Sequence, residues 1–169
     1  FFSDDFEMLD DDWITKFIDI YNMPELNCGI LGMIPHTGSF IRNIDIESPY
    51  HKKHDNYVSE HTYVDGIQFM SMDVVKKIGH FDEKFTADCN NHDRSFASLF
   101  HGHRNYRVNL KYIHHHVDFS DKAVSNEDTL DFDRQVRRSR ILLKEKWNLQ
   151  LGWKSSASVY DGWKKVDGK

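Results

Sequence analysis

The sequence lacks the features that mark three broad classes of protein. Its two cysteines, Cys28 and Cys89, are too few for a disulfide framework and form no CxxC pair, so we expect reduced thiols in a reducing compartment. No stretch approaches the roughly 18 consecutive apolar residues of a membrane span. Acids outnumber basic residues, and a net charge of −5 argues against a nucleic-acid-binding protein. We therefore expect a cytoplasmic protein without a membrane span.

Two further features are absent from the start of the sequence. No signal peptide is visible, and residue 1 is Phe rather than Met. Phe1 and Phe2 run into acids, which is typical of the end of a buried strand, so we expect a fragment or a numbering that begins partway into a longer protein. The 169 residues, 14% aromatic and 29% charged, are enough for one globular domain with a core.

Four helices are predicted from periodicity and from end signals. The first follows the acids of residues 10–12, which we expect to cap it, and stops before Pro24. Its apolar face is predicted to consist of Ile14, Phe17, Ile18 and Tyr21. A short helix over residues 74–78 is expected to be capped by Asp73, and another spans residues 92–101. A capping box at Ser125 predicts a long helix that ends near Trp147.

Strands are predicted between these helices. The first ends at Phe6, and others cover residues 28–34, 63–71 and 106–114. The polar residues 35–62 are predicted to form a long surface loop with a hairpin in it, and long loops in compact domains are often functional. Strands mixed with helices predict an α/β sheet domain.

Two carboxylates, Asp4 and Asp5, lie at the end of the first predicted strand, after its apolar start at Phe1 and Phe2. Charge at the end of a buried strand is costly unless something compensates for it. A divalent cation is one compensation, and Mg²⁺ or Mn²⁺ suits carboxylate and phosphate oxygens. The alternative is that these two acids form a turn or a cap, and the residues alone leave both interpretations open.

Three consecutive histidines end the strand predicted over residues 106–114. Because side chains alternate along a strand, His114 and His116 share one face and His115 takes the other. A histidine at a strand end that faces an acidic site is able to complete the ligand set of a metal. A plain surface cluster is the alternative for the triplet.

Several short motifs follow one another in an order that is itself informative. They are Ser3-Asp4-Asp5, Asp12-Trp13, Val64-Asp65-Gly66, Lys77–Phe85 (KIGHFDEKF), Asn90–Asp93, Gly102, His114-His115 and Lys146-Trp147. The ordered set resembles the C-terminal two-thirds of family 2-like glycosyltransferases with the GT-A fold, a Rossmann-like mixed sheet flanked by helices. The resemblance covers residues 1–148 and leaves 149–169 as a C-terminal tail. The family's N-terminal nucleotide-binding units have no counterpart before Phe1.

The resemblance implies a metal-dependent transfer of a sugar from a nucleotide-sugar donor, on family frequency a UDP-sugar, to a hydroxyl of a glycan or glycoconjugate. It implies that Asp5 binds Mn²⁺ or Mg²⁺ and that Ser3 or Asp4 contacts the metal or the ribose. His114, or its neighbour His116, becomes a further metal or diphosphate ligand. Gly66 allows the backbone to approach the donor sugar or the acceptor.

The catalytic base departs from the family pattern. An inverting enzyme needs a carboxylate that takes the acceptor's proton, and Asn91 stands at that position. Asp93 and Asp88 are the candidate bases, although Asp93 is equally well explained as a carboxylate that stabilises a helix N-terminus. If neither carboxylate reaches the acceptor, a retaining mechanism or a non-catalytic sugar-binding module remains.

Two further alternatives concern the whole chain and its end. A metal hydrolase is disfavoured because no hydrolase spacing such as HExxH is present. The tail, with Trp153, Tyr160 and Trp163, is open to three interpretations: a cover over the acceptor site, a contact in a homo-oligomer, or a loosely packed end.

Overall fold

A computed structural model describes residues 6–33, 40–45, 57–64, 66–86, 89–108, 110, 112–114 and 126–148. The strands in these ranges are β1 (Phe6–Met8), β2 (Cys28–Gly32), β3 (Phe40–Asp45), β4 (Tyr57–His61), β5 (Arg104–Val108) and β6 (Tyr112–His114). The helices are α1 (Trp13–Tyr21), α2 (Met72–Ile78), α3 (Asn90–Phe100) and α4 (Asn126–Lys146). The expectation of a mixed α/β fold is confirmed at this level.

The strands form one four-stranded and one two-stranded sheet. The larger sheet has the order β2-β5-β4-β3, in which β2 runs parallel to β5 and the other neighbours are antiparallel. The smaller sheet pairs β1 with β6 antiparallel. The predicted strand over residues 106–114 is therefore wrong as a single element, because β5 and β6 belong to different sheets.

Helix α1 contributes Phe17 and Ile20 to the buried cluster that also contains Leu31 and Tyr106 of the sheet. Two of the four predicted core residues of α1 are instead exposed, Ile14 to 51% and Ile18 to 43%. At 100° per residue Phe17 and Ile20 define a narrow stripe. Positions 14 and 18 lie to one side of this stripe, which explains the error.

The predicted helix caps are only partly correct. Asp12 occupies the N-cap position of α1, but its side chain makes no capping hydrogen bond. It pairs instead with Lys16 at 3.0 Å. The cap of α2 is Ser71, whose hydroxyl accepts from the Val74 N–H at 3.2 Å, and Asp73 lies in the first turn. The bounds predicted for the long helix agree with α4.

The chain between residues 35 and 71 differs most from expectation. The hairpin predicted within residues 35–62 corresponds to the antiparallel pair β3–β4, but the polar residues Ser59, Glu60 and His61 of β4 are buried and not on the surface. The described residues between 63 and 71 do not form a strand. Among them only Phe69 makes a β-bridge, to Leu31, and Gly66 has a φ of 69°, which breaks an extended conformation.

Helix α3 lies between the sheet and the C-terminal end of α4. On its sheet side it approaches the backbone of Gly29 closely. On its other side the Phe96 ring lies 6.2 Å from the Trp147 ring, and Leu143 of α4 is fully buried in the same cluster. A buried layer therefore joins β2, α3 and α4.

Two simpler observations complete the fold. Cys28 and Cys89 are buried and form no disulfide, and burial raises the pKa of the Cys28 thiol. None of the helices in the described residues has the length and the apolar composition that crossing a bilayer requires.

We expect Gly29→Ala to destabilise the protein by about 1–3 kcal/mol, the usual cost of overpacking. A Cβ at this position would overlap the Ser98 hydroxyl and lie 2.6 Å from the Cβ of His103. The free energy of unfolding in urea measures the loss. Ser98→Ala in the same background should recover part of it, because the hydroxyl is removed. A wild-type stability for Gly29→Ala would contradict the packing described here.

Candidate functional site

The two groups of candidate metal ligands are attached to one small sheet. In the β1–β6 pair Phe6 lies opposite His114. Asp5 directly precedes Phe6 and His115 directly follows His114 in the sequence. The pairing therefore brings Phe6, which follows the acidic motif, and His114, the first residue of the histidine triplet, to the same end of this sheet.

Most of the predicted ligands themselves lie outside the described residues. This holds for Ser3, Asp4, Asp5 and His116, and also for the candidate base Asp88. Within the ranges that the structure describes, no three His, Cys, Asp or Glu side chains come together as a metal site. The ligand set proposed from the sequence thus stays a prediction.

Asp93, the other candidate base, is the most tightly held carboxylate near the start of α3. It is 5% exposed. Its Oδ1 accepts a hydrogen bond from the indole Nε1 of Trp147 at 2.7 Å, and its Oδ2 accepts from Nζ of Lys146 at 2.9 Å. Both oxygens are thus engaged by the end of α4. This geometry favours the stabilising role over proton abstraction.

Lys146 joins a second carboxylate to the first. Its Nζ also lies 3.0 Å from Oδ2 of Asp82, on the loop before α3. Burial acts to lower the pKa of Lys146, but the two carboxylates outweigh it and the pKa is raised. The hydrogen bond from Lys146 and one from the Lys84 N–H hold the pKa of Asp82 below its usual value. We call Asp82, Asp93, Lys146 and Trp147 the α3–α4 clamp.

The loop that carries Gly66 is fixed on the opposite side of α3. Gln68 is fully buried, and its Nε2 donates to the carbonyls of Val64 at 2.8 Å and Asn91 at 3.1 Å. The Ser95 hydroxyl accepts from the Val64 N–H at 3.1 Å and donates to the Asn91 carbonyl at 2.7 Å. Hydrogen bonds therefore join this loop to the first two turns of α3.

Gly66 and Cys89 both have a left-handed backbone. Gly66 adopts it without cost, which is compatible with a close approach of its backbone to a ligand. Cys89, immediately before α3, has a φ of 74° and a buried side chain. A residue with a Cβ pays about 1–2 kcal/mol for this conformation, and such strain clusters at functional sites.

Sequence reasoning found part of this arrangement and missed the rest. It identified Asp93 and Lys146-Trp147 separately. It did not predict that Asp93 contacts these two residues, which lie 53 and 54 positions later in the chain. It gave no role to Gln68 or Ser95. Their polar side chains at otherwise buried positions became informative only once their partners on other elements were known.

The chain was compared with protein families, curated sequences and solved structures, and no match was found in any of the three. The function of the protein is therefore inferred from its residues and their geometry.

Acid should weaken the α3–α4 clamp. Because the pKa of folded Asp82 is below the ~3.9 of an unfolded aspartate, its contribution to stability is present above that value. It is lost as pH falls through the folded pKa. We expect urea unfolding between pH 6 and 2.5 to show a smaller loss of stability on acidification in Lys146→Met than in wild type. Lys76→Met, which removes the partner of exposed Asp73, is the control and should keep the wild-type pH dependence. Equal pH dependence in Lys146→Met and wild type would contradict the assignment.

Proposed function

We propose that the chain is the metal- and acceptor-binding part of a GT-A-type glycosyltransferase. The enzyme moves a sugar from a nucleotide-sugar donor, for which UDP-sugar is our first choice, to a hydroxyl of a glycan or glycoconjugate. The observation that carries the proposal is the pairing of β1 with β6, in which Phe6 lies opposite His114. It supports a shared site for the acidic motif and the histidine triplet, which the sequence separates by about 110 residues.

The chemistry of these two motifs fits a divalent cation. Asp5, with Asp4 or Ser3 beside it, supplies oxygen ligands, and His114 or His116 supplies an imidazole nitrogen. This donor set suits Mn²⁺. It also suits Mg²⁺ if further oxygen ligands complete the coordination. When bound, the ion would stabilise the negative charge that builds on the departing diphosphate.

The α3–α4 clamp gives the proposal a second support. It joins Asp93 to Lys146 and Trp147, two separate motifs of the resemblance. In this proposal Asp93 is a positioning residue that fixes the first turn of α3, where the resemblance expects the acceptor hydroxyl. The role of base then falls to Asp88 in an inverting reaction, or to the donor phosphate in a retaining one.

A non-catalytic sugar- or nucleotide-binding module is the second candidate. The specific observation in its favour is that Asp93 has both oxygens engaged, while Asn91, at the usual position of the base, carries an amide. An amide cannot take up the acceptor's proton at neutral pH. A binding module keeps the fold and the metal site but releases no nucleoside diphosphate.

The two cysteines indicate the compartment. Cys28 and Cys89 are both buried and form no disulfide, which agrees with reducing conditions. We therefore propose that the reaction takes place in the cytoplasm.

The test is release of nucleoside diphosphate from UDP-, GDP- and dTDP-sugars, with and without Mn²⁺. We expect turnover with one donor that requires the metal and that is abolished in Asp5→Ala. Asp11→Ala, which removes an exposed acid near the same strand, should leave turnover unchanged.

Two outcomes would contradict this proposal, the first its catalytic activity and the second its metal site. If Mn²⁺-dependent nucleotide binding persists without turnover of any donor, the binding module is the correct function. If Asp5→Ala keeps wild-type turnover, the metal assignment is wrong, whatever the reaction.

A further inference from the structure

Arg94 is a buried cation that the α3–α4 clamp does not use. The residue lies in the second turn of α3 and is 7% exposed. Its guanidinium carbon stands 4.3 Å from the centre of the Phe81 ring, and its Nη2 donates to the thioether of Met70 at 2.7 Å. Its Nε is buried without a hydrogen-bond partner among the described residues. A thioether is a weak acceptor, so this charge is only partly compensated.

No carboxylate in the part of the chain that the structure describes pairs with this guanidinium. Asp93 is the nearest acid in sequence, and it acts against the effect of burial on the pKa of Arg94. Its two oxygens, however, are taken by Lys146 and Trp147. Burial lowers the pKa of Arg94, but a guanidinium stays charged throughout the physiological range. A buried cation without a bonded acid is a cost that a bound anion removes.

One turn earlier on α3 lies a second unsatisfied group. The side-chain oxygen Oδ1 of Asn90 is buried and has no hydrogen-bond partner within the described residues. Positions 90 and 94 differ by four, so the two side chains share one face of α3, with Cβ atoms about 5–6 Å apart. Asn90 offers an acceptor for a hydroxyl, and Arg94 offers a donor fork for an oxyanion.

We propose that the Asn90–Arg94 face of α3 binds an acidic sugar, with the guanidinium of Arg94 on a carboxylate or phosphate oxygen and the amide oxygen of Asn90 on a neighbouring hydroxyl. A neutral sugar satisfies only Asn90, and a simple anion satisfies only Arg94. The inference rests on the proposed function in one respect, since it makes the acceptor of the transferase an acidic glycan. The binding site itself is testable without any transfer reaction.

The experiment is calorimetric titration of the full chain with glucuronate, glucose 6-phosphate, glucose, acetate and inorganic phosphate at constant ionic strength. We expect both acidic sugars to bind wild type about tenfold or more tightly than glucose, as a charge-assisted hydrogen bond implies. Whichever acidic sugar binds more tightly identifies a carboxylate or a phosphate ester as the natural group.

Arg94→Met should lose this preference for acidic sugars, and Arg94→Lys should keep only part of it. Arg138→Met, which removes an exposed arginine of α4, is the matched control and should bind like wild type. Asn90→Ala should weaken acidic sugars while leaving acetate unchanged. Arg94→Met should also unfold at a temperature no lower than wild type, because replacement of a poorly paired buried charge by an apolar side chain is often stabilising. An arginine with only a structural role predicts a lower midpoint.

Three results would overturn the inference: no preference of wild type for acidic sugars over glucose, equal binding by Arg94→Met, or a preference that Arg138→Met also loses. If neutral acceptors are glycosylated in the presence of Mn²⁺ while acidic sugars fail to bind, the transferase function is supported and only the acidic-sugar site is contradicted. If acidic sugars bind through Arg94 but no donor is turned over, the acidic-sugar site is supported and the transferase function is contradicted.

Discussion

The buried carboxylate of Asp93 is the charge on which the arrangement of the described helices depends. A carboxylate at 5% exposure is tolerated only when its oxygens are satisfied, because a buried charge without partners is costly. Here both partners, Lys146 and Trp147, come from the last turn of α4 and the residue after it. The C-terminal end of α4 is therefore held against α3 by electrostatics as well as by packing.

The position of α3 in turn decides where the loop before α2 lies. Strand β2 meets α3 at Gly29, where the close approach to Ser98 leaves no room for a methyl group. From this position Ser95, together with Gln68, binds the backbone of the loop that carries Gly66. One buried acid thus orients a helix start, a glycine loop and the Asn90–Arg94 face together, which is the preorganisation that a binding site requires.

What the sequence predicts correctly is mostly what local chemistry determines. The bounds of α3 and α4 follow from end signals and periodicity, and Gly79 and Gly102 end their helices with positive φ as expected. The hairpin within residues 35–62 was predicted to lie on the surface because Glu60 and His61 look like surface residues, whereas both are buried. They are buried because Arg104 of β5 lies 2.6 Å from the Glu60 carboxylate, and because Ser59 lies 2.8 Å from the His61 ring. The pairing of Glu60 with Arg104, 44 residues away, leaves no local pattern in the sequence.

The candidate site was predictable to a similar extent. The motifs around Phe6 and His114 were identified separately, and their register across β1–β6 was not. Asp93 was identified with two possible roles, and the choice between them depends on side chains more than 50 residues away. Arg94 belongs to none of the motifs that the sequence shows. Its interest comes from burial without an acidic partner among the described residues, a property of the folded chain only.

The most direct test of this account is the coupling between Asp93 and Trp147. A double-mutant cycle with Asp93→Ala and Trp147→Phe, followed by urea unfolding, isolates the hydrogen bond between the carboxylate and the indole N–H. We expect each single change to destabilise and the two to be strongly non-additive, with a coupling energy of about 1–3 kcal/mol. Additive effects would show that the carboxylate does not hold α4, and Asp93 would again be a candidate for the catalytic base.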